Sequence, residues 1–249
     1  MSAQVIALLW QLKQFNNANE LLHFRRGIFR LKRKIVFDSL AIGMSPFLIN
    51  LAACLIVILI NQGLKKYGGD LAIGAFGIVN RLVFIVVMIV MGLNQGMQPI
   101  AGYNFGAKLY DRVNKVLKLT IIYATCVTTF GFLVGMLAPN LVVGIFTSDA
   151  ELTELSATGL RITVMFFPII GFQMVTSNFF QSIGMAGKAI FLSLTRQMLI
   201  LLPCLLILPH FFGVAGVWYS MPVSDLLASL IALVMLVYQF RKFKTAAAH

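Results

Sequence analysis

The sequence predicts an all-α integral membrane protein, a bundle of six transmembrane helices. Hydrophobic residues make up 59% of the chain and charged residues only 11%, whereas a soluble domain carries roughly 25% charged residues. The apolar residues are gathered into six runs, each near the roughly 20 residues that a helix needs to cross a bilayer. Basic residues alternate between the two groups of loops, and this alternation supports the same six spans.

The six runs are separated by glycine, proline and charged residues, which commonly end apolar helices. The first run ends at Asn61-Gln62-Gly63. After the second run, glycines and Pro99 break the helix before a basic amphipathic stretch that we expect on the inner membrane surface. The predicted spans are residues 39–62, 71–95, 117–138, 162–181, 189–209 and 214–239.

Two local signals lie near the ends of the later runs. Ser148 followed by Glu151 predicts a capping box for a short helix outside the bilayer. Trp218 and Tyr219, at the start of the sixth run, suit interfacial anchors and packing aromatics equally well.

The distribution of basic residues predicts the orientation, because cytoplasmic loops of membrane proteins carry an excess of lysine and arginine. The loops on one side contain Arg25, Arg26, Arg30, Lys32, Arg33, Lys34, Lys108, Arg112, Lys115, Lys118, Lys188, Arg196, Arg241, Lys242 and Lys244. The opposite loops contain only Lys65, Lys66 and Arg161. We therefore expect both termini, including a tail over residues 241–249, in the cytoplasm.

The sequence argues against several classes of function. A net charge of +12 would suggest nucleic-acid binding in a soluble protein, but these basic residues lie between apolar runs, so no nucleic-acid partner is expected. Cys54, Cys126 and Cys204 lie inside apolar runs without metal-ligand spacing. The chain has no HExxH motif, no Walker A motif and no nucleophile with a nearby base. We predict neither an enzyme nor a bound cofactor or metal.

Polar residues inside the apolar runs are the candidate functional residues, because each costs free energy unless it meets protein, water or a ligand. A stripe at helical spacing in the second run could line a pliable cavity or pack against neighbouring helices. Asn50 in the first run and Gln173 and Ser177 in the fourth could line a pathway or form interhelical hydrogen bonds. The stripe comprises Arg81, Phe84, Met88, Met91, Gln95 and Gln98.

Arg81 and Asp225 are predicted to form an ion pair within the membrane. Each lies ten or eleven residues from the outer end of its run, about 15 Å deep at the helical rise per residue. An unpaired charge at that depth costs several kcal/mol, so mutual neutralisation is expected. The pair could be a static clamp or could open when Asp225 takes up a proton or cation.

Four segments together resemble the C-terminal lobe of the multidrug and toxic compound extrusion (MATE) transporters. They are GMSPFLINLAACLIVILINQ, GLNQGMQPIAGYNFGAK, FFQSIGMAGKAIFLSLTRQMLILLPCLLILP and FGVAGVWYSMPVSD, at residues 43–62, 92–108, 179–209 and 212–225. The resemblance implies half of a twelve-helix transporter whose two pseudo-symmetric lobes enclose a central cavity. Residues 1–38 would be the end of the preceding helix and the cytoplasmic inter-lobe linker, residues 39–240 the six-helix lobe, and the N-terminal lobe a partner missing from this chain.

The resemblance implies export of organic cations or other drug-like compounds across the cell membrane, the bacterial inner membrane, in exchange for H+ or Na+. Two departures concern the coupling ion. Some relatives place acidic residues in their seventh and tenth helices, where this chain has Cys54 and Gln173, and another group uses an aspartate in the first helix, outside this chain. The alternatives are a related flippase of lipid-linked intermediates and a non-transporting truncated membrane fragment.

Overall fold

A computed structural model describes residues 2–16 and 33–247, and the regular secondary structure of these residues is entirely helical. The chain divides into two compact units, Met1–Phe47 and Leu48–His249. Most of the expected linker, with its basic cluster, falls on residues 17–32, which lie outside the described residues together with residues 248–249 of the tail.

The first unit contains helix α1, Ser2–Phe15, and the beginning of α2, which starts at Arg33. Every α1 side chain from Gln4 onward is exposed, including Trp10 at 68%. These exposed side chains are mostly apolar, and Gln4, Gln11, Lys13 and Gln14 are exposed among them.

Helix α2, Arg33–Gly106, contains one residue with a non-helical backbone, Gly69 (φ 69°, ψ −165°). Glycine adopts this positive φ without the steric cost that other residues meet. The stretch Asn50–Gly106 alone would be about 85 Å long as a straight helix, far beyond a hydrocarbon core of about 30 Å. We therefore count α2 as two spans that meet at Gly69. The sequence had ended the first of them at residue 62, but the helix continues through Lys65 and Lys66.

Helix α3, Tyr110–Leu137, is followed by the short α4, Pro139–Gly144, and by α5, Ala150–Val164. The capping-box prediction at Ser148 is wrong by one residue, because the Asp149 carboxylate accepts the hydrogen bond from the Leu152 amide at 3.0 Å. An aspartate carboxylate at this position satisfies a first-turn amide as well as a serine hydroxyl does.

The fourth span is broken. Helices α5 and α6, Phe167–Ser182, meet at a bend of 55° and together are long and apolar enough to cross a membrane. Pro168 in the first turn of α6 has no amide hydrogen to continue the preceding helix. The sequence predicts a short helix outside the bilayer before residue 162, and in the structure these residues form α5, the first helix of this bent pair.

The last two spans are joined at Gly213. The fifth comprises α7, Ala186–Leu194, a π-helix, Thr195–Leu201, and α8, Leu202–Phe212. The sixth is α9, Val214–Ala247. Four described helices are long and apolar enough to span, and the bent pair makes five. Counting α2 as two at Gly69 gives the six spans that the sequence predicts.

Two buried clusters hold the second unit together. One, near the Gly69 break, includes Leu64 and Trp218, and the other, near the opposite end of the lobe, includes Met97 and Phe179. Helix α6 packs against α3, α7 and α9 and so joins the two clusters.

Trp218 packs inside the lobe and is not an interfacial anchor. It is only 3% exposed, its ring centroid lies 5.9 Å from that of Phe76, and it fills the notch that Gly159 leaves on α5. Tyr219, by contrast, is 41% exposed. Of the two expectations for this aromatic pair, packing holds for Trp218.

Gly159→Ala should lower the thermal unfolding temperature of the detergent-purified protein. A Cβ at this position would lie 2.6 Å from the Trp218 ring, and overpacking of this kind costs about 1–3 kcal/mol. Gly77→Ala is the matched control, because no atom lies within 4 Å of a Cβ there and alanine is the better helix former. Equal unfolding temperatures of the two variants would contradict the close packing of Trp218 against Gly159.

Candidate functional site

An open cavity of about 260 Å³ lies within the second unit and is lined by both spans of α2 and by α5, α6, the π-helix and α9. Most of its wall is apolar, with Ile56, Phe76 and Met174 among the lining residues. Its polar lining residues are Asn80, Thr163, Arg196, Gln197, Ser224 and Asp225.

An ion pair forms part of the cavity wall. The guanidinium of Arg196 donates to Oδ1 of Asp225 from both Nε and Nη2, each at 2.6 Å. The Asp225 side chain is 5% exposed and that of Arg196 is 34% exposed. A carboxylate buried so deeply requires a charged, hydrogen-bonded partner, and Arg196 supplies it.

The predicted pair between Arg81 and Asp225 is therefore wrong, because Arg196 occupies the position expected for Arg81. The sequence assigned Arg196 to an inner loop, with its span starting at residue 189. The helix in fact begins at Ala186, so Arg196 lies ten residues inside it, about 15 Å from its end. Equal depth on two helices does not make them neighbours, and the helix that packs beside Asp225 is the fifth span. The turn at Gly184, which has a φ of 76°, is the signal for this earlier helix start.

The π-helix explains how Arg196 and its neighbour Gln197 both reach the cavity. The Leu202 amide donates to the Gln197 carbonyl, five residues back. Pro203 follows directly, and in an α-helix its ring would clash with the carbonyl four residues earlier. A wider π turn relieves such a clash, and π turns occur frequently at functional sites. Oε1 of Gln197 is buried without a hydrogen-bond partner at this wall.

Five residues of the stripe predicted on the second span are exposed, and the sixth, Gln98, is half-buried. Phe84, Met88 and Met91 are 56%, 57% and 48% exposed, and Arg81 and Gln95 are also exposed. None of the five lines the cavity of the ion pair. Asn50, on the preceding span, is exposed as well. The lobe thus presents an exposed amphipathic face on the second span, made of residues other than those that line the cavity.

The two polar residues predicted on the fourth span lie within the packed helices. Gln173 is 4% exposed. The Ser177 hydroxyl lies 3.2 Å from that of Ser193 and donates to the Ala189 carbonyl at 3.4 Å. Ser177 therefore joins α6 to α7, as expected of an interhelical hydrogen bond.

Charge removal at the ion pair should be strongly non-additive. Arg196→Gln and Asp225→Asn each leave one charge unpaired, and breaking a buried pair can cost about 3 kcal/mol. In unfolding experiments on the detergent-purified protein, the double variant should therefore lose less free energy of unfolding than the two single variants lose together. The difference should be at least about 1 kcal/mol. The control double variant, Arg81→Gln with Asp225→Asn, should be additive. Additivity in the first cycle would contradict the contact.

Comparisons with known proteins agree with this architecture. The MatE family model matches residues 41–207. The Multidrug export protein MepA of Staphylococcus haemolyticus strain JCSC1435 is 26% identical over 243 residues, which are 96% of this chain and 52% of that protein. MepA of Staphylococcus aureus strain MW2 is likewise 26% identical, with the same coverage. The chain spans about half the length of the curated relatives that it matches.

Solved structures show the same relationship. The structure of the MATE multidrug transporter DinF-BH is 34% identical, with a TM-score of 0.78, and the match covers 97% of this chain and 53% of that one. The inward-facing conformation of a multidrug resistance MATE family transporter has a TM-score of 0.83 at 19% identity, covering 96% and 56%, and shows likeness of fold alone. Since the family match covers more than half of the chain, this protein belongs to the MATE family, in which it corresponds to the C-terminal six-helix lobe.

Proposed function

We propose that this chain is the C-terminal lobe of a secondary active multidrug antiporter that exports organic cations or other drug-like compounds in exchange for H+ or Na+. The observation that carries the proposal is the exposed face of the second span in a chain of the MATE family. Methionine and phenylalanine side chains repack readily around dissimilar apolar molecules. Gln95 on the same face offers hydrogen-bond donors and acceptors.

In this proposal the face containing Arg81, Met88, Met91 and Gln95, together with Asn50 on the preceding span, forms part of a central cavity. The other wall would come from an N-terminal lobe. Exposed polar side chains at membrane depth cost free energy against lipid, so they favour contact with water, substrate or protein. Gln173 and Ser177 act in the proposal through helix packing behind that wall.

Ion coupling is assigned to the cavity beside Asp225. Among the carboxylates whose side chains are described, Asp225 is the farthest from a helix end or from the Gly69 break, eleven residues into α9. A cavity of about 260 Å³ has room for several water molecules at about 30 Å³ each. Uptake of H+ or Na+ by Asp225 would weaken its attraction to Arg196. Since Arg196 lies between α7 and α8 and Asp225 on α9, opening of the pair would change how the last two spans meet.

The proposed location is the bacterial inner membrane, with both termini in the cytoplasm. The exposed basic residues Lys108, Arg112, Lys115 and Lys118 cluster at one end of the lobe. The α5 cap at Asp149 and the acidic residues after it lie at the other end of α3. This separation of charge supports the orientation derived from the loops.

Cysteine labelling checks the orientation. In a background without the three native cysteines, a cysteine at Asp149 or Glu151 should react with an impermeant maleimide added to intact cells. A cysteine at His249 should react only after the cells are opened. Equal reactivity of the two sites in intact cells would contradict an odd number of spans between them.

Efflux assays test the transport proposal. Cells lacking their own efflux pumps, and expressing the chain within the complete transporter, should export fluorescent drug-like dyes only while a proton or sodium gradient is present. Asp225→Asn should reduce gradient-driven efflux at least about tenfold, because asparagine cannot take up a proton or balance a cation. Asp111→Asn, an exposed acidic residue in the first turn of α3, is the control and should leave efflux unchanged.

Three outcomes would contradict the proposal. Full efflux by Asp225→Asn would remove the coupling role. Absence of dye efflux with either gradient, together with movement of lipid-linked intermediates, would favour the flippase. A chain that associates with no second lobe and supports no efflux would be a non-transporting fragment.

A further inference from the structure

We infer that Arg81 is the binding site for the acidic group of an amphipathic anionic compound, whose apolar body lies along Phe84 and Met88. The inference rests on the proposed function, since it names a class of compound for the same exposed face. The structural observation is a deep, unpaired and exposed guanidinium.

The depth of Arg81 follows from the Gly69 break. Arg81 is twelve residues beyond the break on the second span, or about 18 Å along the helix. A hydrocarbon core of about 30 Å therefore places its Cα near the middle of the membrane. A guanidinium facing lipid at that depth is strongly disfavoured, so the favourable surroundings for this exposed side chain are water and a negatively charged partner.

No carboxylate whose side chain the structure describes supplies that partner. The ion pair found among these residues joins Asp225 to Arg196, so the acidic residue nearest in depth is already neutralised. The other acidic residues with described side chains lie within about one turn of a helix end or of the Gly69 break: Asp70, Asp111, Asp149, Glu151 and Glu154. The membrane-depth surface of the lobe thus keeps the positive charge of Arg81 uncompensated.

The surroundings of Arg81 define the shape of the compound. Phe84 and Met88 are more than half exposed on the same face, and Met91 and Gln95 continue it by one to two turns. From Arg81 to Met91 the helix rises about 15 Å, a length suited to a fused aromatic molecule. Arginine binds planar carboxylates through two parallel hydrogen bonds. An organic cation would meet no opposite charge on this wall.

A matched pair of dyes tests the assignment. Rhodamine 110 carries a free carboxylate and rhodamine 123 is its methyl ester, so they differ by one negative charge on the same ring system. On the chain within the complete transporter, in zwitterionic lipid nanodiscs, fluorescence anisotropy should show the acid binding about tenfold more tightly than the ester. Arg81→Gln should abolish the preference, and Arg81→Lys should retain most of it. Arg112→Gln, an exposed arginine at the inner end of α3, should leave the preference unchanged.

Each outcome decides the inference. Equal or tighter binding of the ester by the unmodified chain would overturn it, even if Arg81→Gln failed to fold. A preference for the acid that persists in Arg81→Gln would also overturn it. Equal loss of binding of both dyes in Arg81→Gln would overturn it too, because such a loss would indicate a structural role. Failure of gradient-driven efflux with the acid preference intact would refute the transport proposal alone. Intact efflux without the acid preference would refute this inference alone.

Discussion

Hydrocarbon offers no hydrogen-bond partner to a backbone amide or carbonyl, and this constraint governs the described chain. Within a membrane each segment satisfies its backbone groups in its own helix, so direction can change only at a few residues. The helical path is interrupted at Gly69, at the bend before Phe167 and at Gly213, and between these points the chain remains helical apart from short turns. The broken fourth span and the π turn before Pro203 are local departures that keep most backbone groups paired.

The same absence of water acts on side-chain charge, and the lobe meets it in two ways. Asp225 and Arg196 neutralise each other beside a cavity inside the lobe, so their charges depend on no other segment. Arg81 instead lies on the outer face of the second span without an acidic neighbour among the described residues. The ion pair is complete within the lobe, whereas Arg81 requires a negatively charged partner from outside it.

Hydropathy and the alternation of loop charge predict the span count. Both depend on the preference of each side chain for lipid or for water, which can be assigned without knowing how the helices pack. The family could likewise be recognised from four sequence segments, and the MatE match confirms it. The partner of Asp225 could not be predicted, since depth along a helix says nothing about which helices are neighbours. The loop count that gave the orientation included Arg196 although the predicted span already contained it, because a basic residue near a span end is ambiguous between a cytoplasmic flank and a buried ion-pair partner. The cap at Asp149 shows the same limit, since several adjacent residues could each accept the first-turn amide hydrogen bond.

Trp218 has a mechanical consequence for the lobe. Its indole occupies the notch at Gly159, so α9 cannot slide along α5 unless the ring first leaves that notch. Helix α6 packs against α9 as well, so both arms of the fourth span are held to the last helix. Displacement of α9 along its own axis would therefore have to break the contact at Gly159 and the packing against α6 together.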